Sequence, residues 1–353
     1  MKLAAVIPCF RVRRHIAEVV AGVLPYVDHV FVVDDCCPEL TGDLVAAMFP
    51  PDRVTVLRHP ENRGVGGATV TGYCAAFAAR YDIAIKIDGD GQMDPAHIPD
   101  LVHPIIAGEA DYTKGNRFYQ REHLARMPKV RLFGNSVLSL ITKVSSGYWN
   151  IMDPTNGYTA LHATAAQEIG LARVDRRYFF ESDMLFRLNI ARAVVKDVPM
   201  PAIYGTEKSN LPIRHVLHEF PAKHLKNLVK RFAYNYLVRD FSVGTIQIVT
   251  GTALTGFGVI FGAISWIQSA AASRDTPVGT VMLATLPIIL GFQLLLAALS
   301  FDIANVPVRP LQRILRPKPW SDHQSIEIDV RDGSDTKGAL AEDQELRRQE
   351  IEG

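Results

Sequence analysis

No charged residue occurs between Asp240 and Arg274, or between Asp275 and Asp302. Each gap exceeds the roughly 20 residues an α-helix needs to cross the hydrocarbon core of a bilayer. Both are rich in Leu, Ile, Val, Ala, Gly and Phe, and only Ser273-Arg274-Asp275-Thr276-Pro277 joins them. The reading is a two-helix transmembrane hairpin over 241–305. Neither stretch carries a mid-membrane charge of the kind that marks a transport pathway. Basic residues flank the outer ends: Lys223, Lys226, Lys230, Arg231 and Arg239 before the first span, and Arg309, Arg313, Arg316 and Lys318 after the second. The positive-inside rule then places the N-terminal part and the C-terminus in the cytoplasm, in a multi-pass protein of the cytoplasmic (inner) membrane.

The residues before the hairpin have another character. Short β-branched runs at Lys2–Ile7, His29–Val33, Val54–Arg58 and Ile83–Ile87 alternate with helical spacing near 15–24, 40–48 and 68–80. Such alternation predicts an α/β domain with a mainly parallel sheet over 1–212. A strand near 111–118, helices near 128–145 and from about Tyr178, and a last strand over Val194–Val198 would complete it. Tyr204–Asn210 reads as a mobile basic loop. Segment 213–240 interleaves its cations with Leu217, Phe220, Leu225, Leu228, Phe232 and Tyr236, a basic amphipathic stretch suited to an anionic leaflet. The part 306–353 reads as a cytoplasmic tail, mostly disordered, because Ser321–Gly353 is acidic, polar and poor in aromatics. Formal net charge over 353 residues is +1, so nothing draws the whole chain toward nucleic acid. The four cysteines lack zinc-type spacing and read as reduced thiols. Met1-Lys2 leads directly into a strand-like run, which argues against a signal peptide.

In parallel sheets ligands bind beyond the carboxyl ends of the strands. Several chemistry-bearing residues fall there: Asp34 and Asp35, the glycine-rich Gly64-Val65-Gly66-Gly67, and Asp88-Gly89-Asp90-Gly91-Gln92. In an extended segment residues two apart share a side, so Asp88 and Asp90, with Gln92 behind them, face one point. Hard divalent cations take such oxygens together with substrate phosphates. A DGD sequence is equally an acidic turn closed by glycines. Gly64-x-Gly66-Gly67 is either a phosphate-approaching turn or a tight turn only, and it follows the third strand, which disfavours a nicotinamide-binding half.

Together these motifs resemble the family 2 glycosyltransferases of GT-A fold, and within them the polyprenyl-phosphate glycosyltransferases, a group that includes dolichyl-phosphate mannose synthases. The motifs are Val6-Ile7-Pro8, Val32-Val33-Asp34-Asp35, Asn62-x-Gly64-x-Gly66, Asp88-Gly89-Asp90-Gly91-Gln92, Lys114-Gly115-Asn116-Arg117-Phe118, Asp153–Tyr158 and Glu207-Lys208-Ser209-Asn210. The resemblance covers roughly Met1 to Asn210. It implies a nucleotide-sugar donor (UDP or GDP) lined by Pro8, Asp34, Asp35, Gly64 and Gly66. It implies Mg²⁺ or Mn²⁺ on Asp88, Asp90 and Gln92, and a polyprenyl phosphate acceptor from the bilayer. Arg117, Arg131 and Lys208 are the candidate cations for that phosphate, with Asn135 and Ser136 as neutral donors. Asp153 is the candidate acid for acceptor or sugar. The family usually has Asn-Glu after the first strand's proline, whereas Phe10-Arg11-Val12-Arg13 follows Pro8-Cys9 here, where base and ribose would sit. Two other readings stay open: a transferase extending a saccharide, which needs a base, and an inactive membrane-anchored scaffold. A homo-oligomer is neither indicated nor excluded.

Overall fold

The computed structural model of the chain describes residues 1–119, 129–201, 213–315, 318 and 320, with 129–133 and 213–218 described in backbone only. Strands Leu3–Cys9 (β1), His29–Asp34 (β2), Val54–Arg58 (β3) and Ile83–Lys86 (β4) pair in parallel. They are linked by helices Ile16–Val23 (α1), Thr41–Met48 (α2) and Gly64–Ala78 (α3). β1, β2 and β4 are buried on both faces, which is why they read as continuous apolar runs rather than as alternation. Successive residues still divide between the faces. Ala4, Val6 and Val33 pack with Tyr73 and Phe77 of α3, while Ala5, Ile7 and Val32 pack with Ile16 and Val20 of α1. At Gly72 a Cβ would stand 2.2 Å from a Val6 methyl, so α3 rests directly on β1.

The glycine-rich segment is not a turn leading into a helix. It is the first turn of α3, which starts at Gly64 itself. Beyond helix Ile98–Ile106 (α4) and strand Tyr112–Asn116 (β5), helix Lys129–Ser146 (α5) leads toward a strand that the sequence reading lacks, Thr159–His162 (β6). β6 enters antiparallel between β4 and β5, giving, with the last strand Val195–Pro199 (β7), the order β3-β2-β1-β4-β6-β5-β7. Four residues of mixed composition offer no hydrophobic period from which to read it. Helices Ala163–Ile169 (α6) and Phe180–Ile190 (α7) complete the domain together with β7.

Helix Ile213–Phe232 (α8) runs on as a π-helical turn, Ala233–Arg239, into helices Val243–Ala271 (α9) and Val278–Ala304 (α10). At 29 and 27 residues, α9 and α10 are long and apolar enough to cross a membrane. Small residues set their packing. A Cβ on Gly258 would meet the Ala284 carbonyl at 2.6 Å, and one on Gly291 the Thr255 hydroxyl at 2.4 Å. Their outward faces expose Phe257, Ile260, Trp266, Ile267, Leu283 and Leu290.

The first residues of the 306–353 tail, expected to be mostly disordered, are ordered against the domain. Pro310 leads into a short helix, Leu311–Ile314 (α11), whose first amides are capped by buried Asp111. Asp111 Oδ2 accepts from Leu311 N and Val194 N at 2.8 Å, and Oδ1 accepts from Gln312 N at 3.1 Å. Further on, Trp320 packs on Phe77, 5.3 Å between ring centroids. A proline and a helix cap are ordering signals that the composition of the later residues hides. The segment from 321 lies outside the described residues. Asp111→Ala leaves three amides without their acceptor, at about 1–3 kcal/mol for each buried donor left unsatisfied. We expect a lower Tm and faster proteolysis between α10 and Trp320. Wild-type resistance in the variant would show that Asp111 does not hold the segment.

Candidate active site

The carboxyl ends of β1, β2 and β4 meet as the sequence predicts, and the acids at the end of β2 bond backbone amides of neighbouring loops. Pro8 is buried at the end of β1. Asp34, 7% exposed, accepts from Cys37 N at 2.7 Å and from Gly42 N at 2.6 Å. Asp35, 2% exposed, accepts from Arg63 N at 2.8 Å and Gly64 N at 2.7 Å, and meets His59 Nδ1 at 2.7 Å. A carboxylate over the first amides of α3 is favoured by the positive end of the helix dipole. Both acids thus shape the two loops bordering the expected nucleotide position. The loop after β1, where the family motif is missing, is tied across: Arg11 N donates to Cys37 Sγ at 3.1 Å and Arg13 donates to the Leu40 carbonyl at 3.0 Å. Arg11, Cys36 and Leu40 all have positive φ, a cost that persists only where surrounding contacts impose it.

The glycines of α3 answer to packing. A Cβ on Gly64 would stand 2.6 Å from the Arg176 carbonyl, and one on Gly66 2.4 Å from the Asp175 carbonyl. Their absence of side chains lets the 175–177 loop close over the helix N-terminus.

β4 ends at Lys86, so the expected extended run through the acids stops short of them: Gly89 and Asp90 lie in a turn, with Asp88 and Asp90 partly exposed and Gly89 buried between them. Asp90 Oδ1 accepts from the amide of partly exposed Gln92 at 3.0 Å. Behind Asp88 stands Lys86, 1% exposed, its Nζ 2.7 Å from Asp88 Oδ1, 3.3 Å from the Gly157 carbonyl and 3.9 Å from Glu181 Oε1. Burial pulls the Lys86 pKa down, but Asp88 and Glu181 outweigh it, so the ammonium titrates above its ordinary value. Asp88 and Asp90 suit a hard divalent cation by donor chemistry. Among the described residues no three His, Cys, Asp or Glu side chains converge on one point. Two carboxylates would leave the rest of such a cation's shell to water and phosphate oxygens.

On the other side of β6 two expected actors meet each other. Arg117 Nε donates to Asp153 Oδ2 at 2.8 Å and Nη2 to Oδ1 at 3.1 Å. Asp153 is fully buried and the Arg117 side chain 32% exposed. Arg131, Asn135 and Ser136 lie on α5, the latter two partly or fully exposed; the Arg131 side chain and Lys208 lie outside what is described. Sequence reasoning missed the buried lysines as a pair. Lys114 Nζ bonds the Asn156 carbonyl, and burial pushes its pKa down to about 8. The available signal was a lysine inside each of two strands whose neighbours are buried on both faces.

Because Lys114 binds its proton more weakly when folded, the unfolded chain holds more protons between pH 8 and the ordinary lysine value of 10.5. Stability linked to this group therefore rises with pH across that window. Lys114→Met should flatten that part of the stability–pH curve in chemical denaturation, and an unchanged slope would refute the assignment.

A family model described as "Glycosyl transferase family 2" matches residues 4–170. The chain is 28% identical over 213 residues to UDP-N-acetylglucosamine--dolichyl-phosphate N-acetylglucosaminyltransferase of Methanococcus voltae, covering 56% of this chain and 84% of that protein. It is 30% identical over 173 residues to undecaprenyl-phosphate mannosyltransferase of Micrococcus luteus, covering 48% of this chain and 70% of that protein. Among solved structures, glucosyl-3-phosphoglycerate synthase from Mycobacterium tuberculosis aligns with a TM-score of 0.47 at 17% identity, over 65% of this chain and 79% of that one. A mainly parallel sheet, carboxylates at its C-terminal edge and these relatives agree: the chain is a family 2 glycosyltransferase, with a GT-A-type domain followed by two helices able to span a membrane.

Proposed function

We propose that this enzyme transfers a sugar from a UDP- or GDP-sugar to a polyprenyl phosphate, with inversion, at the cytoplasmic face of a membrane. The observation that carries the reading is the union, in one chain, of this catalytic edge with two spans, together with relatives named for transfer to dolichyl and undecaprenyl phosphate. Residues 1–212 would hold the catalytic domain, 213–240 a juxtamembrane segment and 241–305 the membrane hairpin. The exposed Leu225 and Val229 of α8 and Val137, Leu140 and Ile141 of α5 support contact of the domain with lipid. Lys223, Lys226, Lys230, Arg309 and Arg313 beside the spans support the cytoplasmic placement.

In the reaction a phosphate oxygen of the acceptor bonds to the sugar C1 as the bond from C1 to the donor diphosphate breaks. Asp88 and Asp90, with Gln92 adjacent, would hold Mg²⁺ or Mn²⁺, which when bound neutralises charge on the departing diphosphate. Lys86 fixes one Asp88 oxygen, Oδ1, at 2.7 Å. The acceptor oxygen is already anionic at neutral pH, since the second pKa of a phosphate monoester is ~6, so no general base is needed. Asp153 accordingly serves to orient Arg117, whose planar fork suits a phosphate, rather than to take a proton. Arg131, Lys208, Asn135 and Ser136 are proposed to complete the acceptor site. Pro8, Asp34, Asp35, Gly64 and Gly66 would frame the nucleotide through the loops they fix. Asp153 in a bidentate ion pair disfavours the saccharide-extending alternative, which needs a free base.

Full-length protein in membranes with Mg²⁺ or Mn²⁺, undecaprenyl phosphate and a panel of nucleotide sugars should yield a glycosyl polyprenyl phosphate by mass spectrometry. No such product from any donor would overturn the reading. Asp88→Asn should lower turnover by about 10²–10³-fold, the range seen when one transition-state stabiliser is removed. It should also weaken Mn²⁺ binding in the presence of UDP, read by electron paramagnetic resonance; unaltered binding would remove Asp88 from the metal site.

A further inference from the structure

The end of α10 carries a buried carboxylate that the catalytic site does not use. Asp302 Oδ1 accepts from Arg231 Nη1 at 2.6 Å and from the Tyr236 hydroxyl at 2.7 Å. Its Oδ2 accepts from Arg231 Nη2 at 3.0 Å and from Trp149 Nε1 at 2.9 Å. The four bonds join parts far apart in sequence: the end of the second span, α8 with its π-helical turn, and the loop after α5. Arg231 extends the joint, donating through Nη2 to the Val144 carbonyl at 2.8 Å in the last turn of α5. Beside it, Ser145 Oγ meets His224 Nδ1 at 2.8 Å, a second tie between α5 and α8. A buried ion pair is a poor source of net stability, because desolvation offsets its attraction, but its geometry is demanding. That combination suits a part that must hold a position.

The position concerned is that of α5. Its C-terminal end sits in the joint, and its N-terminal half carries Arg131, Asn135 and Ser136. Eighteen residues of helix span about 27 Å, so a small tilt at the joint becomes a displacement of ångströms at the far end. Resting on the acceptor reading above, we propose that Asp302 is a positioning residue for the lipid acceptor. By locking Arg231, Tyr236 and Trp149 to the end of the second span, it sets the height and tilt of α5 over the bilayer. The helix then meets a phosphate held at headgroup level. A water-soluble acceptor, free to approach at any height, does not need the joint.

The test uses the full chain in proteoliposomes with two acceptors, a long polyprenyl phosphate in the bilayer and a short water-soluble isoprenoid phosphate. Asp302→Asn, and the milder Trp149→Phe that removes one bond, should raise the apparent KM for the bilayer acceptor about tenfold, within the range known for small misplacements distant from the chemistry. KM for the nucleotide sugar, and for the soluble acceptor, should stay at wild-type values. A KM for the bilayer acceptor that is unchanged in both variants would overturn the proposal. So would an equal rise for both acceptors, or a lowered Tm with no split between them. If the wild-type protein transfers to neither acceptor, the acceptor reading itself fails and this inference falls with it.

Discussion

One strand running against the others decides which residues gather at the carboxyl edge of β4 and β5. An antiparallel strand begins at the edge where its parallel neighbours end. Thr159, the first residue of β6, stands beside Lys86 of β4 on one side and Lys114 of β5 on the other. The turn that enters β6, Asp153–Tyr158, is thereby delivered to the carboxyl edge of β4 and β5. Gly157 reaches Lys86, Asn156 reaches Lys114, and Asp153 reaches Arg117. Had β6 been parallel, the same turn would lie at the opposite end of the sheet.

This placement sets the electrostatics. Two ammonium groups are buried at this edge, where an unpaired charge costs several kcal/mol even after relaxation. Each is met by a carbonyl of the incoming turn, and Lys86 also by Asp88 and Glu181. The two lysines therefore connect the carboxylates at the end of β4 to the turn that holds Arg117. Asp153 gives the Arg117 guanidinium a defined orientation through two bonds, at 2.8 and 3.1 Å.

Outside the domain the same rule governs the membrane end. α9 and α10 need no charge over their length, and the one at the end of α10 is matched within the protein by Arg231, Tyr236 and Trp149. The chain then returns to the domain under the cap of Asp111, so the hairpin is fastened on both its entering and leaving sides.

The amino-acid sequence determined what local chemistry can enforce. Two charge-free stretches longer than a bilayer core appear as α9 and α10, and β1 to β4 fall where β-branched runs lie. Tertiary structure decided what depends on partners distant along the chain. Asp34 and Asp35 turn to backbone amides of other loops, and the α3 glycines answer to the 175–177 loop. Arg117 and Asp153, read as separate actors, are partners 36 residues apart. β6 is too short to show a period, and Asp302 reads only as the end of an apolar run until Arg231 is seen beside it. Periodicity records which side of an element is buried; only packing in three dimensions records what it is buried against.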